Sequence, residues 1–552
     1  MRKVGLLACL LTLTLFSAYA GEGFLKGKIL KIEMKDVVAE RGGSNYNLTL
    51  SGIKSSSYVS LLSLERAIKK AAEDKDIAMI YINTDKFSAG LAPMEEVRSY
   101  LKGFSKAGKP VIAYGTSFGN GSYYIASVAD RVFLYPTGGA AINGLSSTQY
   151  FLKDALDTLG IGVQLIRHGK YKSAGEMYIR NDISPENREQ YEVMLDSIWG
   201  SILDEIAESR GISVDDLRNW IENLEIGKGQ TLVDKGLVDG LKYRDEMEQY
   251  LCHLFGTTEP SEVKTVDIKN YMKKLKDGPS SKKIAVVYAN GEIGEGRSVG
   301  EKVANEIAKV RRDSTVKAVV FRVNSPGGEV TASDIIRREI ELLKKYKPVI
   351  ASYGSYAASG GYLISAGCDK IFVDKTTLTG SIGVFGMFYN VGGAIKQNLK
   401  VNPVQIGTGK HSTMMTGMYP LSEEEQAWCQ DKIEKVYDDF VTVVSEGRNI
   451  SKEYVDSIAQ GRVWTGKDAI GIKLADETGT ILEAVEYAAK ISNLKKYSIV
   501  SYPRKKSFKE QLLDKDDKDE TKPLVKSIIK PGFSVVARMP YFTFESETLL
   551  LK

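Results

Sequence analysis

The sequence is poor in the residues that build metal and disulfide centres. It holds three histidines, His168, His253 and His411, and four cysteines without zinc-type pairing, so no metal and no cofactor are expected. Setting aside Cys9 in a leader-like segment, Cys252, Cys368 and Cys429 are odd in number and scattered. That excludes a disulfide framework and leaves stability to the core. Neither sign of charge dominates: 75 basic and 70 acidic residues give +5, too balanced for a nucleic-acid partner. The apolar run Val4 to Phe16 is short for a membrane span.

What the N-terminus does carry is Arg2 and Lys3, that apolar run, and the small-x-small site Ala18-Tyr19-Ala20. This is the polarity of an export signal, so residues 1–20 read as a signal peptide or short anchor. Beyond it, apolar runs alternate with amphipathic stretches. Strands are predicted at Ile29–Met34, Ala78–Asn83 and Lys109–Ala113, with helices over 61–72 and 94–104. That alternation indicates a parallel sheet with helical crossovers, an α/β class.

The order then returns. Strands at Ile284–Tyr288 and Ala318–Asn324 enclose a helix at Val303–Arg312, and a helix at Thr331–Tyr346 leads to Lys347-Pro348-Val349-Ile350-Ala351, identical to residues 109–113. Gly121, Tyr123, Ile125, Asp130, Phe133, Thr137 and Gly144 match Gly360, Tyr362, Ile364, Asp369, Phe372, Thr376 and Gly383 at constant spacing. The chain is therefore a tandem duplication: one unit over 21–255, a polar linker over 256–281, a second unit over 282–500, and a charged, partly disordered tail over 501–552.

Ser359 lies between the apolar run 349–353 and a short helix predicted through Leu363, Ile364 and Ala366. A strand, a small-residue turn and a helix start place a hydroxyl at a turn tip beside free N–H groups. Alone, the same pattern describes a helix N-cap. The repeat adds the discriminating fact. Ser359 falls opposite Asn120, while Lys172 of Gly169-Lys170-Tyr171-Lys172-Ser173 falls opposite Ser412. One unit keeps a nucleophile and the other a base, as in a single site divided between them. A lysine serves as base only where burial removes its charge. His168 and His411, which flank the aligned segments, are the competing bases, and a solvated Lys172 is the ordinary alternative. Gly360 and the Gly327-Gly328 pair supply side-chain-free backbone for an oxyanion, or else a plain strand-to-helix turn. Ser381, opposite Ile142, is placed to hold the lysine amine, or is a turn serine.

Together, Asn324-Ser325-Pro326-Gly327-Gly328, Tyr356-Ala357-Ala358-Ser359-Gly360-Gly361-Tyr362, Leu378-Thr379-Gly380-Ser381-Ile382-Gly383 and Gly169-Lys170-Tyr171-Lys172-Ser173-Ala174 resemble the signal peptide peptidase A family in its long, double-domain bacterial form. The likeness runs from about residue 30 to 500. It implies tandem Clp-protease/crotonase-like spiral domains and a serine endopeptidase with a Ser/Lys dyad. By matching motif, Ser359 is the nucleophile, Lys172 the general base and Ser381 its holder, and the N–H groups of Gly328 and Gly360 form the oxyanion hole. It also implies hydrophobic peptide substrates, notably cleaved signal peptides, a homotetramer, and a place in the bacterial envelope on the periplasmic side of the inner membrane. Two further readings stay open: a crotonase-type acyl-CoA enzyme and a non-catalytic envelope scaffold.

Overall fold

The structure, a computed structural model, describes residues 24–33, 38–41, 43–49, 52–85, 89–275, 280–294, 296, 299–504 and 534–539. The leader-like segment 1–20 lies outside them, as do Lys86–Ser88, where the first unit replaces the Pro-Gly-Gly of the second.

Each half builds a six-strand parallel ladder whose inner strands are largely apolar runs, the pattern of a sheet covered on both faces. In the first the spatial order is Gly240–Leu241, Arg131–Leu134, Val111–Gly115, Ile77–Asn83, Lys28–Glu33 and Thr265–Asp267. In the second it is Glu477–Thr478, Lys370–Val373, Val349–Ala358, Val316–Ser325, Lys283–Asn290 and Ser498–Tyr502. Corresponding strands occupy corresponding places. Long helices Pro185–Arg210 and Glu423–Arg448 of 26 residues each repeat the match. The duplication read in the sequence is thus a duplication of topology. The stretch 256–281 carries the strand Thr265–Asp267 and the helix Ile268–Lys274 of the first unit.

Two devices tie the halves together. The first is a buried charge cluster behind the strand that leads to Ser359. Arg322 is 1% exposed and forks onto Glu40 through Nε at 2.6 Å and Nη2 at 3.0 Å, while Nη2 also reaches Glu96 at 2.5 Å. Its Nη1 donates to Ser352 Oγ at 2.9 Å and Tyr353 O at 2.7 Å. Burial raises the Glu96 carboxyl, and the Arg322 charge opposes that rise. Carboxylates from the first half therefore fix the backbone of the second, in an arrangement whose charges would be costly if left unpaired.

The second device is a mixed sheet in the order Gly162–His168, Val384–Asn390, Ser534–Arg538, Gly327–Glu329. Gly162–His168 of the first half runs antiparallel to Val384–Asn390 of the second over its full length. Ser534–Arg538, from the tail, lies antiparallel to both of its neighbours.

Candidate active site

Ser359 stands where the strand Val349–Ala358 ends. The end of that strand leaves its early partner, Lys370–Val373, and pairs with Leu378–Gly380, which brings residues 378–381 alongside. Ser359 adopts φ 55° and ψ −118°, backbone that L-residues rarely hold and that costs on the order of 1–3 kcal/mol. Its N–H donates to Gly380 O at 2.8 Å. The helix expected to follow is one turn, Gly360–Leu363, after which the chain passes into turns.

Lys172 arrives from the other half on the loop after Gly162–His168. Arg167 Nη1 donates to Lys172 O at 2.7 Å and pairs with the buried Glu176 at 3.2 Å, pinning that loop. Lys172 Nζ lies 2.7 Å from Ser359 Oγ, 3.0 Å from Ser381 Oγ and 3.0 Å from Ser381 O. Lys172, Ser359 and Ser381 are all 0% exposed. Among the described residues no carboxylate pairs with Lys172, and burial alone drives its amine far below the ordinary lysine value. A neutral amine has two N–H groups and one lone pair. In that form, two donations to Ser381 would leave the lone pair facing the Ser359 hydroxyl.

The stem of Lys172 threads a gap that only glycine leaves. Gly461 has φ 78°, and a Cβ there would meet Lys172 N and Cβ at 2.6 Å. Gly461→Val is expected to displace the amine and lower kcat at least about 100-fold, the scale of an ångström-sized misplacement, with an unchanged far-UV circular dichroism spectrum. Steady-state kinetics check it; a wild-type rate would show that the gap is not needed.

The Gly328 and Gly360 amide nitrogens lie close together. A Cβ on Gly360 would lie 3.2 Å from Gly328 N and 3.1 Å from Ala537 O, and one on Gly327 would lie 2.7 Å from Gly360 N. Ile293 holds the glycine strand from behind, donating to Gly327 O at 2.8 Å and accepting from Glu329 N at 3.0 Å.

The histidines are elsewhere engaged. His168 stacks on Tyr437 at 3.7 Å and pairs with Glu434 at 2.5 Å. His411 is exposed beside Glu424 and Glu425. No hydrogen bond among the described residues joins either to Ser359. In the first half Asn120 spans the equivalent gap, its Nδ2 donating to Gly144 O at 2.8 Å and its Oδ1 accepting from Asn143 N at 3.0 Å. Ser412, the counterpart of Lys172, is exposed and donates to Gly409 O at 2.8 Å.

Sequence reasoning passed over Gly461 and the tail strand. The positive-φ turn Gln460-Gly461 gives no sign of what packs on it. Val535-Val536 is a β-branched signal, but a short one in a charged tail.

The sequence profile of peptidase family S49 matches residues 103–255 and 341–495, one stretch in each half. The chain belongs to peptidase family S49. It is 36% identical to Protease 4 of Haemophilus influenzae, over 79% of this chain and 73% of that one. It is 33% identical to Protease 4 of Salmonella typhi, over 88% and 82%, and 32% identical to the chloroplastic serine protease SPPA of Arabidopsis thaliana, over 88% and 73%. As an S49 member it is a serine peptidase, a hydrolase, built from two α/β repeats. The acyl-CoA and scaffold readings fall with that assignment.

Proposed function

We propose that the S49 activity is carried by a Ser359/Lys172 dyad split between the repeats. The observation that supports it is the 2.7 Å contact between a strained serine and a fully buried amine whose basicity burial lowers. Ser359 Oγ attacks the substrate carbonyl as Lys172 takes its proton. Developing charge on the carbonyl oxygen is met by Gly328 N–H and Gly360 N–H, fixed donors that need no reorganisation. Lys172 returns the proton to the leaving amine, then activates water to release the acyl group. Ser381 orients the amine throughout.

The substrates are extended, apolar peptides, cleaved signal peptides among them. The cleft lies between the strands Gly327–Glu329 and Val384–Asn390, so a peptide pairs with backbone on both sides. Val384 and Phe385 are buried apolar residues of the second strand. The setting is the bacterial envelope, on the periplasmic side of the inner membrane, in keeping with the export-like N-terminal pattern. No described helix is long and apolar enough to cross a membrane. The working assembly is a homotetramer; Leu399, Val401, Val404 and Ile406 form an exposed apolar stretch suited to contact between copies.

A matched pair of peptides tests the substrate class, one a signal-peptide hydrophobic region and one of equal length with alternating charges. The apolar peptide is expected to show kcat/KM at least about 10-fold higher, roughly the discrimination that one or two buried methylenes give. Equal rates would remove the apolar preference.

A further inference from the structure

The tail strand Ser534–Arg538 occupies the cleft in which a substrate must lie. We propose that this segment is the chain's own first substrate, bound with the Ala537–Arg538 peptide bond at the reacting position. The inference rests on the Ser359/Lys172 reading and adds to it a defined sequence and bond.

Register fixes which carbonyl is presented. Gly327 pairs with Arg538 and Gly328 with Ala537 in the antiparallel ladder. Met539 N donates to Pro326 O at 2.8 Å. Hydrogen-bonded pairs recur every second residue in such a ladder, so the bond reciprocal to it runs from Gly328 N–H to Ala537 O. The same oxygen lies beside Gly360 N, since a Cβ on Gly327 would meet Ala537 O at 2.2 Å and Gly360 N at 2.7 Å. The Ala537 carbonyl therefore sits between the two amides assigned to the oxyanion. On the far side, Val536 pairs with Phe385 and Val535 with Gly386, which completes a three-stranded clamp.

Side chains fit the same reading. Ala537 is 1% exposed and Met539 2% exposed, so the residues on either side of Arg538 are enclosed. Arg538 is 20% exposed and pairs with Glu292 at 3.1 Å. Small and apolar residues fill the enclosed positions and the charge between them meets an acidic partner, the pattern of a recognised peptide.

The chemistry balances with one water. Ser359 Oγ bonds to the Ala537 carbonyl carbon and its proton passes to Lys172 Nζ. The Ala537–Arg538 C–N bond breaks, and Lys172 gives that proton to the Arg538 nitrogen, freeing residues 538–552. Water then attacks the Ala537–Ser359 ester and Lys172 takes its proton. The ester bond breaks, the proton restores Ser359, and Ala537 is left as a C-terminal carboxylate once its acid proton passes to solvent.

Intact-mass spectrometry of purified full-length chain tests this, alongside hydrolysis of an external apolar peptide. The wild type is expected to end at Ala537, and Ser359→Ala to end at Lys552. Ala537→Trp, whose indole the enclosed position cannot hold, is expected to keep the tail while still cleaving the external peptide. A wild type that cleaves the peptide yet keeps its tail, or loses it at another bond, overturns the inference and leaves the dyad standing. A wild type that does neither and takes no serine-directed label overturns the dyad itself.

Discussion

Ser359→Ala is expected to lower kcat at least about 10⁴-fold, as removal of a serine nucleophile does elsewhere, and to abolish labelling by a fluorophosphonate. The reason is geometric. Ser359 Oγ is the hydroxyl that meets the Lys172 amine, and Asn120, at the same place in the other repeat, has no hydroxyl. The residual rate would come from binding and the two amides alone. Mass spectrometry of the labelled wild type is expected to find the adduct on Ser359. A variant that labels and turns over normally would remove this residue as nucleophile.

The second large effect has two signs. Lys172→Met is expected to cost activity on the same scale while making the fold more stable at neutral pH. Burial holds the folded amine far below its ordinary value of 10.5, whereas the unfolded chain takes up a proton there. The unfolded state thus binds more protons, so the stability contributed at this site rises with pH between the depressed folded value and 10.5. Methionine fills similar space without that term. Its advantage should be fully present below the folded value, shrink as pH climbs through the window, and vanish near the top. A gain of about 2 °C at neutral pH for each kcal/mol relieved is the scale to look for. The same sign governs catalysis. Wild-type rates fall as acid protonates Lys172, and Lys172→Arg, which stays charged, should be inactive at every pH. Melting and rate profiles across pH check both halves; a Lys172→Met variant less stable than wild type throughout would show that the amine stabilises the fold.

Much of this was legible because the chain carries its own comparison. Lys347–Ala351 repeats 109–113, and against that frame the missing hydroxyl at Asn120 and the extra amine at Lys172 stand out. What pattern could not convey was position across the repeats. The strand Gly162–His168 that delivers Lys172 pairs with the other half, and a strand's own residues do not name its partner. Arg322 likewise reads as a stray charge in an apolar run until Glu40 and Glu96 are brought to it from far away in sequence. Ser534–Arg538 is short and lies within a charged tail, so its sequence does not name Gly327–Glu329 and Val384–Asn390 as the edges on which it pairs.

The crossing of Gly162–His168 onto Val384–Asn390 has a consequence for inheritance. Two equal copies could once have been parted without loss, each self-sufficient. With the amine now carried across to the serine of its sibling, fission of the gene between them would, under the proposed dyad, leave each heir with half a centre.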